Sequence, residues 1–244
     1  MQSTRNLLLR SLSQDALAVL GPVERIELPL RTVLDEGRHA YFLESGIASI
    51  VASARGTQAL ELGIIGSEGT SALSVIYEDD ESPFEMYMQV AGTASRFDSS
   101  RLAVLLREQP EARALMLHFA RAFAIQVSTT TFANGRFKID ARLARWILMA
   151  SDRVGPVFSI THEFLSMMLG VRRSGVTIAM QSLEGGGYIR AQRGTITVRD
   201  RAGLVDATEG AYGFSELHYE RLLGANSLPF YRSPSPEFLS PLAA

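Results

Sequence analysis

Apolar positions fall in short runs over roughly the first hundred residues and recur at helical spacing after that. Residues 6–20, where Leu7, Leu8, Leu12, Leu17 and Leu20 surround Ser13 and Asp15, predict short helical pieces. Between Glu24 and about Phe97, apolar or alternating runs at 26–30, 41–43, 47–51, 59–65 and 86–90 are separated by Gly, Asp and Ser. That spacing predicts short strands of an antiparallel barrel or roll. The glycines, Gly46, Gly56 and Gly92 among them, fall mostly between the runs, where turns need them.

Asp98, Ser99 and Ser100 offer caps to a helix over 101–107, and Pro110 suits the first turn of the next one. From Glu111 to Asn134 there is no Gly or Pro, and apolar residues occur on nearly every side, so this long helix must be covered all round. Leu115, His118, Ala122, Ile125, Thr129 and Phe132 fall at 3/4 spacing along one seam, which is expected to be a homodimer interface; the alternative is a helix buried inside one large domain. A further helix starts near Asp140, with Leu143, Trp146, Ile147 and Ala150 on one face, and Gly155-Pro156 stops it.

Next comes a compact unit. Thr161 can cap a helix whose Phe164, Leu165 and Met168 point inward, Gly170 allows a tight turn, and Arg172 or Arg173 opens a second helix running to Glu184. Gly185-Gly186-Gly187 breaks the chain, and residues 188–191 and 195–198 form two β-prone runs joined through Gln192-Arg193-Gly194. Helix, turn, helix and hairpin are the outline of a winged helix-turn-helix. On a wheel, Val176, Ala179, Met180 and Leu183 of the second helix share one side, while Arg173, Ser174, Thr177 and Gln181 share another. A guanidinium, two hydroxyls and an amide are the groups that read base edges in a major groove. Arg172, Arg190 and Arg193 can neutralise phosphates beside them. The last forty residues are less regular, and Ser233-Pro234-Ser235-Pro236 is expected to be a flexible tail.

Charge sharpens this picture. The chain of 244 residues carries a net charge of −2, but residues 1–135 hold 11 basic and 16 acidic side chains whereas residues 136–201 hold 11 and 5. A basic segment flanked by acidic ones suits a polyanion-binding module attached to something else. Every basic residue except Lys138 is Arg, so bidentate contacts to phosphate or guanine are available. There is no Cys, which excludes disulfides, iron–sulfur clusters and thiolate chemistry. No apolar run approaches the roughly 18 residues of a membrane span, and a cytoplasmic location without membrane association is expected.

The stretch Ile160-Thr161-His162-Glu163-Phe164-Leu165-Ser166-Met167-Met168-Leu169-Gly170-Val171-Arg172-Arg173-Ser174-Gly175-Val176-Thr177 resembles the DNA-binding segment of the Crp/Fnr transcription regulators. Upstream, Tyr41-Phe42-Leu43-Glu44-Ser45-Gly46-Ile47-Ala48 resembles the family's β-roll, and the helix from Pro110 and Arg142-Leu143-Ala144 extend the likeness over most of residues 6–215. The resemblance implies that Arg173 is a base-reading arginine with Ser174 and Thr177 beside it, and that the long helix dimerises.

The departures concern the ligand. Cyclic-nucleotide members hold phosphate with a Gly-Glu-Leu turn and an Arg-Ser pair; here Phe84 and Glu85 stand where that pair would be, just after Glu78-Asp79-Asp80-Glu81. Carboxylates there would repel a phosphodiester, so cyclic AMP and cyclic GMP are disfavoured. Ser128 and Thr129 match a polar pair that some members set against the purine, although interhelical hydrogen bonds explain them as well. His39 or His118 leaves haem conceivable, while His39, His118, His162 and His218 show no metal-ligand spacing.

The expected fold class is α+β: a jelly-roll-like antiparallel β-roll over 1–108, a dimerisation helix and hinge over 109–137, a winged helix-turn-helix over 138–203 and a C-terminal tail over 204–244. The expected function is sequence-specific, homodimeric binding of double-stranded DNA at a pseudo-palindromic site, with no enzymatic activity, cofactor or metal. The effector is an unknown small molecule or none, and activation would require RNA polymerase as a further partner. The competing readings are a ligand-binding signalling module with a β-roll sensor and no specific DNA binding, and a metal-dependent β-roll enzyme of the cupin type.

Overall fold

Short strands with glycine-bearing turns build the first part of the chain, as their spacing requires, and helices build the rest. The computed structural model describes residues 4–35, 37–53, 59–79 and 81–231. Gly56, Asp80 and the Ser-Pro tail lie outside the described residues. The chain forms two compact units, the first drawn from Met1–Ala52 and Gly63–Phe123, the second from Ser53–Leu62 and Ala124–Ala244.

In the first unit, helices α1 (Leu7–Ser11) and α2 (Gln14–Leu20) lead into β1 (Glu24–Leu28), β2 (His39–Leu43) and β3 (Ile47–Ala52), and the chain re-enters this unit along β4 (Leu60–Ile65). After α3 (Leu73–Tyr77) come β5 (Glu85–Val90), β6 (Gly92–Asp98) and α4 (Ser99–Glu108). The strands form two three-stranded sheets, in the orders β1-β6-β2 and β4-β3-β5, and all the registered pairs are antiparallel. Ile47, Ile50, Ile64, Met86, Met88 and Phe97 supply the buried core. Gly46 makes the β2–β3 turn at φ +83°, and a Cβ there would meet the Val90 carbonyl at 2.6 Å. The Glu44 carboxylate accepts the Thr4 and Ser95 hydroxyls, each at 2.6 Å, together with the Arg5 and Asn6 amides. Burial would raise its pKa, but the four hydrogen bonds outweigh that and hold it below the ordinary value.

β6 pairs with both neighbours in its sheet, yet its sequence Gly-Thr-Ala-Ser-Arg-Phe-Asp has no apolar alternation by which to predict it. Small residues suffice there, because Ala94 and Ser95 are buried between strands and need little volume.

The long helix α5 (Pro110–Arg136) extends two residues beyond Asn134, with Gly135 tolerated in its last turn. The second unit continues with α6 (Ile139–Val154), β7 (Val157–Ser159), α7 (His162–Leu169), α8 (Arg173–Gly185), β8 (Ile189–Gln192), β9 (Thr195–Val198), α9 (Arg201–Asp206) and α10 (Phe214–Leu223). Its sheet has the order β7-β9-β8. Leu143, Ile147 and Leu148 of α6 are fully buried, as are Leu165 of α7 and Val176 and Ala179 of α8.

The region from 204 to 231 corrects the expectation of an irregular tail. It contains the second half of α9 and all of α10, and the boundary expected at 204 falls inside α9. Tyr212, Tyr219, Leu228 and Tyr231 are buried. The Gln126 side-chain amide donates to the Tyr219 hydroxyl at 3.0 Å. Asp152, wholly buried, accepts from Arg201 at 2.6 Å and from the Tyr212 hydroxyl at 2.6 Å. The segment is held by polar and aromatic anchors, which leave no helical periodicity to detect. No helix among the described residues is long and apolar enough to cross a membrane.

Candidate nucleic-acid interface

The second unit's α7, α8 and wing are assembled by local hydrogen bonds. Thr161 caps α7, its hydroxyl accepting the Phe164 amide at 3.3 Å. Gly170 ends α7 in the left-handed region at φ +60°, and the Leu60 Cδ1 lies 3.0 Å from where its Cβ would be, so only glycine suits the turn. The Ser166 hydroxyl closes the turn by donating to the Val171 carbonyl. Arg142, on α6, reaches both sides of this corner: its guanidinium donates to the Asn134 side chain at 2.9 Å and to the Leu169 carbonyl. Burial lowers the pKa of that half-buried guanidinium.

Arg172 stands at the N-cap of α8 and Arg173 opens it. Val176, Ala179, Met180 and Leu183 face the core. Arg172, Arg173, Ser174 and Gln181 are exposed on the rest of the helix. Thr177 is half-buried, with its hydroxyl donating to the Arg173 carbonyl at 3.0 Å and lying 3.4 Å from His162 Nδ1. Its remaining lone-pair capacity and methyl group are what it offers a ligand. The wheel separated the two faces, but omitted Ile178, which is 66% exposed beside Ser174. An apolar residue on a polar face carries no separate signal when apolar positions are assigned to the core by type.

The wing is a two-residue hairpin, because Gln192 pairs with Thr195. Its tip residues Arg193 and Gly194 have φ of +50° and +77°, as a type I′ turn demands. Arg190 and Arg193 are exposed there, with Arg199 just after β9. The Glu184 carboxylate accepts the Ala191 amide at 2.7 Å, tying the end of α8 to the wing.

Residues 141–207 match the Crp-like helix-turn-helix domain. The cyclic AMP receptor protein of Thermus thermophilus is 24% identical over 180 residues, covering 72% of this chain and 82% of that protein. FixK2 from Bradyrhizobium japonicum shares the fold with a TM-score of 0.66 at 11% identity, over 76% of this chain and 97% of that one. The c-di-GMP responsive global regulator CLP of Xanthomonas campestris does so with a TM-score of 0.58 at 17% identity, over 76% and 99%. Residues 141–207 thus form a Crp-like helix-turn-helix domain, and most of the chain is similar to Crp/Fnr regulators in sequence or fold.

In this Crp-like chain the expected dimer seam needs correction. Ala122 is fully buried by its own chain and has no surface to give a partner. Leu115, Ile125 and Thr129 are half-buried, and only His118 and Phe132 of that set are exposed. The exposed stripe of α5 is rotated away from most of that seam, sharing Phe132 with it and adding Ala114, Leu117, Arg121 and Ser128. A helix apolar on almost every side gave the wheel no contrast from which to fix the angle. Ser128, Thr129, Thr130 and Thr131 each donate to the carbonyl four residues earlier, at 2.8–3.0 Å, so their protons are engaged within the helix.

In the first unit, Glu68 is wholly buried with both carboxylate oxygens 3.1 Å from the Gly66 amide. Phe84 and Glu85 are exposed, and Glu78 forms an exposed ion pair with Arg113 at 2.8 Å. His39 is half-buried with its ring 6.0 Å from that of Tyr41, whereas His118 is exposed on α5. The basic segment also divides. Arg145 and Arg153 are buried and Arg201 is bound to Asp152, while Arg136, Lys138, Arg172, Arg173, Arg190, Arg193 and Arg199 face outward.

Proposed function

We propose that this protein is a transcription regulator of the Crp/Fnr type, acting as a homodimer that reads a pseudo-palindromic DNA site, one α8 entering the major groove at each half-site about 34 Å apart. The observation that carries this reading is the outer face of α8. Arg173, Ser174 and Gln181 are exposed opposite an apolar side that is buried, so the groups able to recognise base edges are free of core packing. Arg172, Arg190 and Arg193 take the phosphate contacts in this scheme, and Thr177 contributes from the flank. Dimerisation runs along α5, where Leu117 and Phe132 are 41% and 59% exposed.

The β-roll, on the same reading, answers to something other than cyclic AMP or to nothing. The buried Glu68 carboxylate already accepts the Gly66 amide, and no arginine stands at Phe84 or Glu85 to balance a phosphate's charge. One relative is a cyclic AMP receptor and another responds to c-di-GMP, so related proteins differ in effector.

A binding titration of the full chain with Arg173→Ala and Arg190→Ala tests the scheme. Arg173→Ala should lose discrimination at one base pair by about 1–3 kcal/mol, while Arg190→Ala weakens binding to all sequences alike and reduces the salt slope by about 1 per protomer. Affinity that does not fall as salt rises would instead favour a signalling module that does not bind DNA.

A further inference from the structure

Isolated exposed apolar side chains are common on soluble proteins, so exposure alone singles out nothing. Ile178 is distinguished by its company. At about 100° per residue, Ser174, Ile178 and Gln181 fall within about 60° of one another on α8, opposite the arc of Val176, Ala179 and Leu183. The side chain is two-thirds exposed. Ala, Gln or Lys would suit an exposed helical position better than a β-branched residue does, and Ile178, 66% exposed, gains little burial to offset that. Whatever covers this face therefore meets hydroxyl, branched hydrocarbon and amide side by side.

An isoleucine can neither bind a phosphate nor hydrogen-bond a base. In the major groove the apolar feature of a base edge is the C5-methyl group of thymine, which also distinguishes T·A from A·T. We propose that Ile178 is a specificity-determining residue of α8, packing against a thymine methyl at one position of each half-site. This rests on the DNA-reading role proposed above for α8, and adds to it a base preference that the polar groups of Arg173, Ser174 and Gln181 do not supply.

The test uses the full-length protein and a site enriched from random duplexes. Each thymine of the half-site is replaced in turn by deoxyuridine, which removes the methyl and keeps the hydrogen-bonding edge. For the wild type, one position should weaken binding about fourfold per half-site, and about fifteenfold when both half-sites are changed, as expected for one apolar group returned to water. Ile178→Ala, at an exposed position where Ala is a good helix former, should bind thymine and uracil sites equally while keeping the Arg173-dependent preference. Indifference of the wild type to every such replacement would overturn the assignment, as would an Ile178→Ala protein that still prefers thymine. If no sequence is enriched at all, the role of α8 itself fails, and that result is distinct because Arg173→Ala would then also change nothing.

Discussion

At the scale of single residues, chemistry and conformation conflict at the tip of the wing. Arg193 occupies the left-handed region at φ +50°, where a residue other than glycine, asparagine or aspartate is strained by about 1 kcal/mol. A hairpin selected for stability alone would carry asparagine before Gly194. Retaining a guanidinium at an exposed apex is consistent with an anionic partner. Arg193→Asn should therefore raise the melting temperature slightly while lowering DNA affinity at every sequence, with the log–log salt slope falling by about 1 per protomer. A thermal scan beside a salt titration measures both, and unchanged DNA binding would remove Arg193 from the phosphate contacts.

At the scale of elements, α9 and the segment that leads into α10 are fastened through one buried carboxylate, Asp152. Desolvation pushes Asp152 up to about 6, against the opposing pull of Arg201 and the Tyr212 hydroxyl. A folded-state value above the unfolded one means that the contribution to stability is complete below about pH 3.8 and is withdrawn as pH rises through about 6. The melting temperature of the wild type minus that of Asp152→Asn should accordingly decline between pH 4 and pH 7, as differential scanning calorimetry of the full chain would record. Elements whose apolar residues repeat with period 2 or 3.6 were legible from sequence, as were those opened by a capping hydroxyl. α7, capped by Thr161, and α8, with its buried Val176 and Leu183, are examples. β6, built from small residues, and α10, held by Tyr219 and Glu216, obey neither rule and escaped. For the candidate site, spacing gave the two faces of α8 but not the exposure of Ile178. The inward turn of Arg145 and Arg153 was equally hidden, because a count of charges does not say which way a side chain points.

At the scale of the whole molecule, the proposed reading requires two copies to cooperate for a symmetric site to be bound tightly. Leu117 and Phe132, rather than Ala122, are the apolar groups on the open face of α5. Leu117→Glu combined with Phe132→Glu should yield monomers by analytical ultracentrifugation. It should also cost about 10²-fold or more in affinity for an intact two-half-site duplex, the usual return from linking two binding events. A duplex with one half-site scrambled should bind the wild type and the variant more nearly alike. Variants that remained dimeric would assign dimerisation to another surface.

The clasp made by Arg142 has a bearing on how such a protein can move. One cation is shared between Asn134, near the end of α5, and the carbonyl of Leu169, beside the corner that precedes α8. Fraying of that last helical turn, or opening of that corner, would strand a partly dehydrated guanidinium with one acceptor fewer. Loosening at either end thus carries a penalty set by the other, and the two neighbourhoods are braced as a single joint.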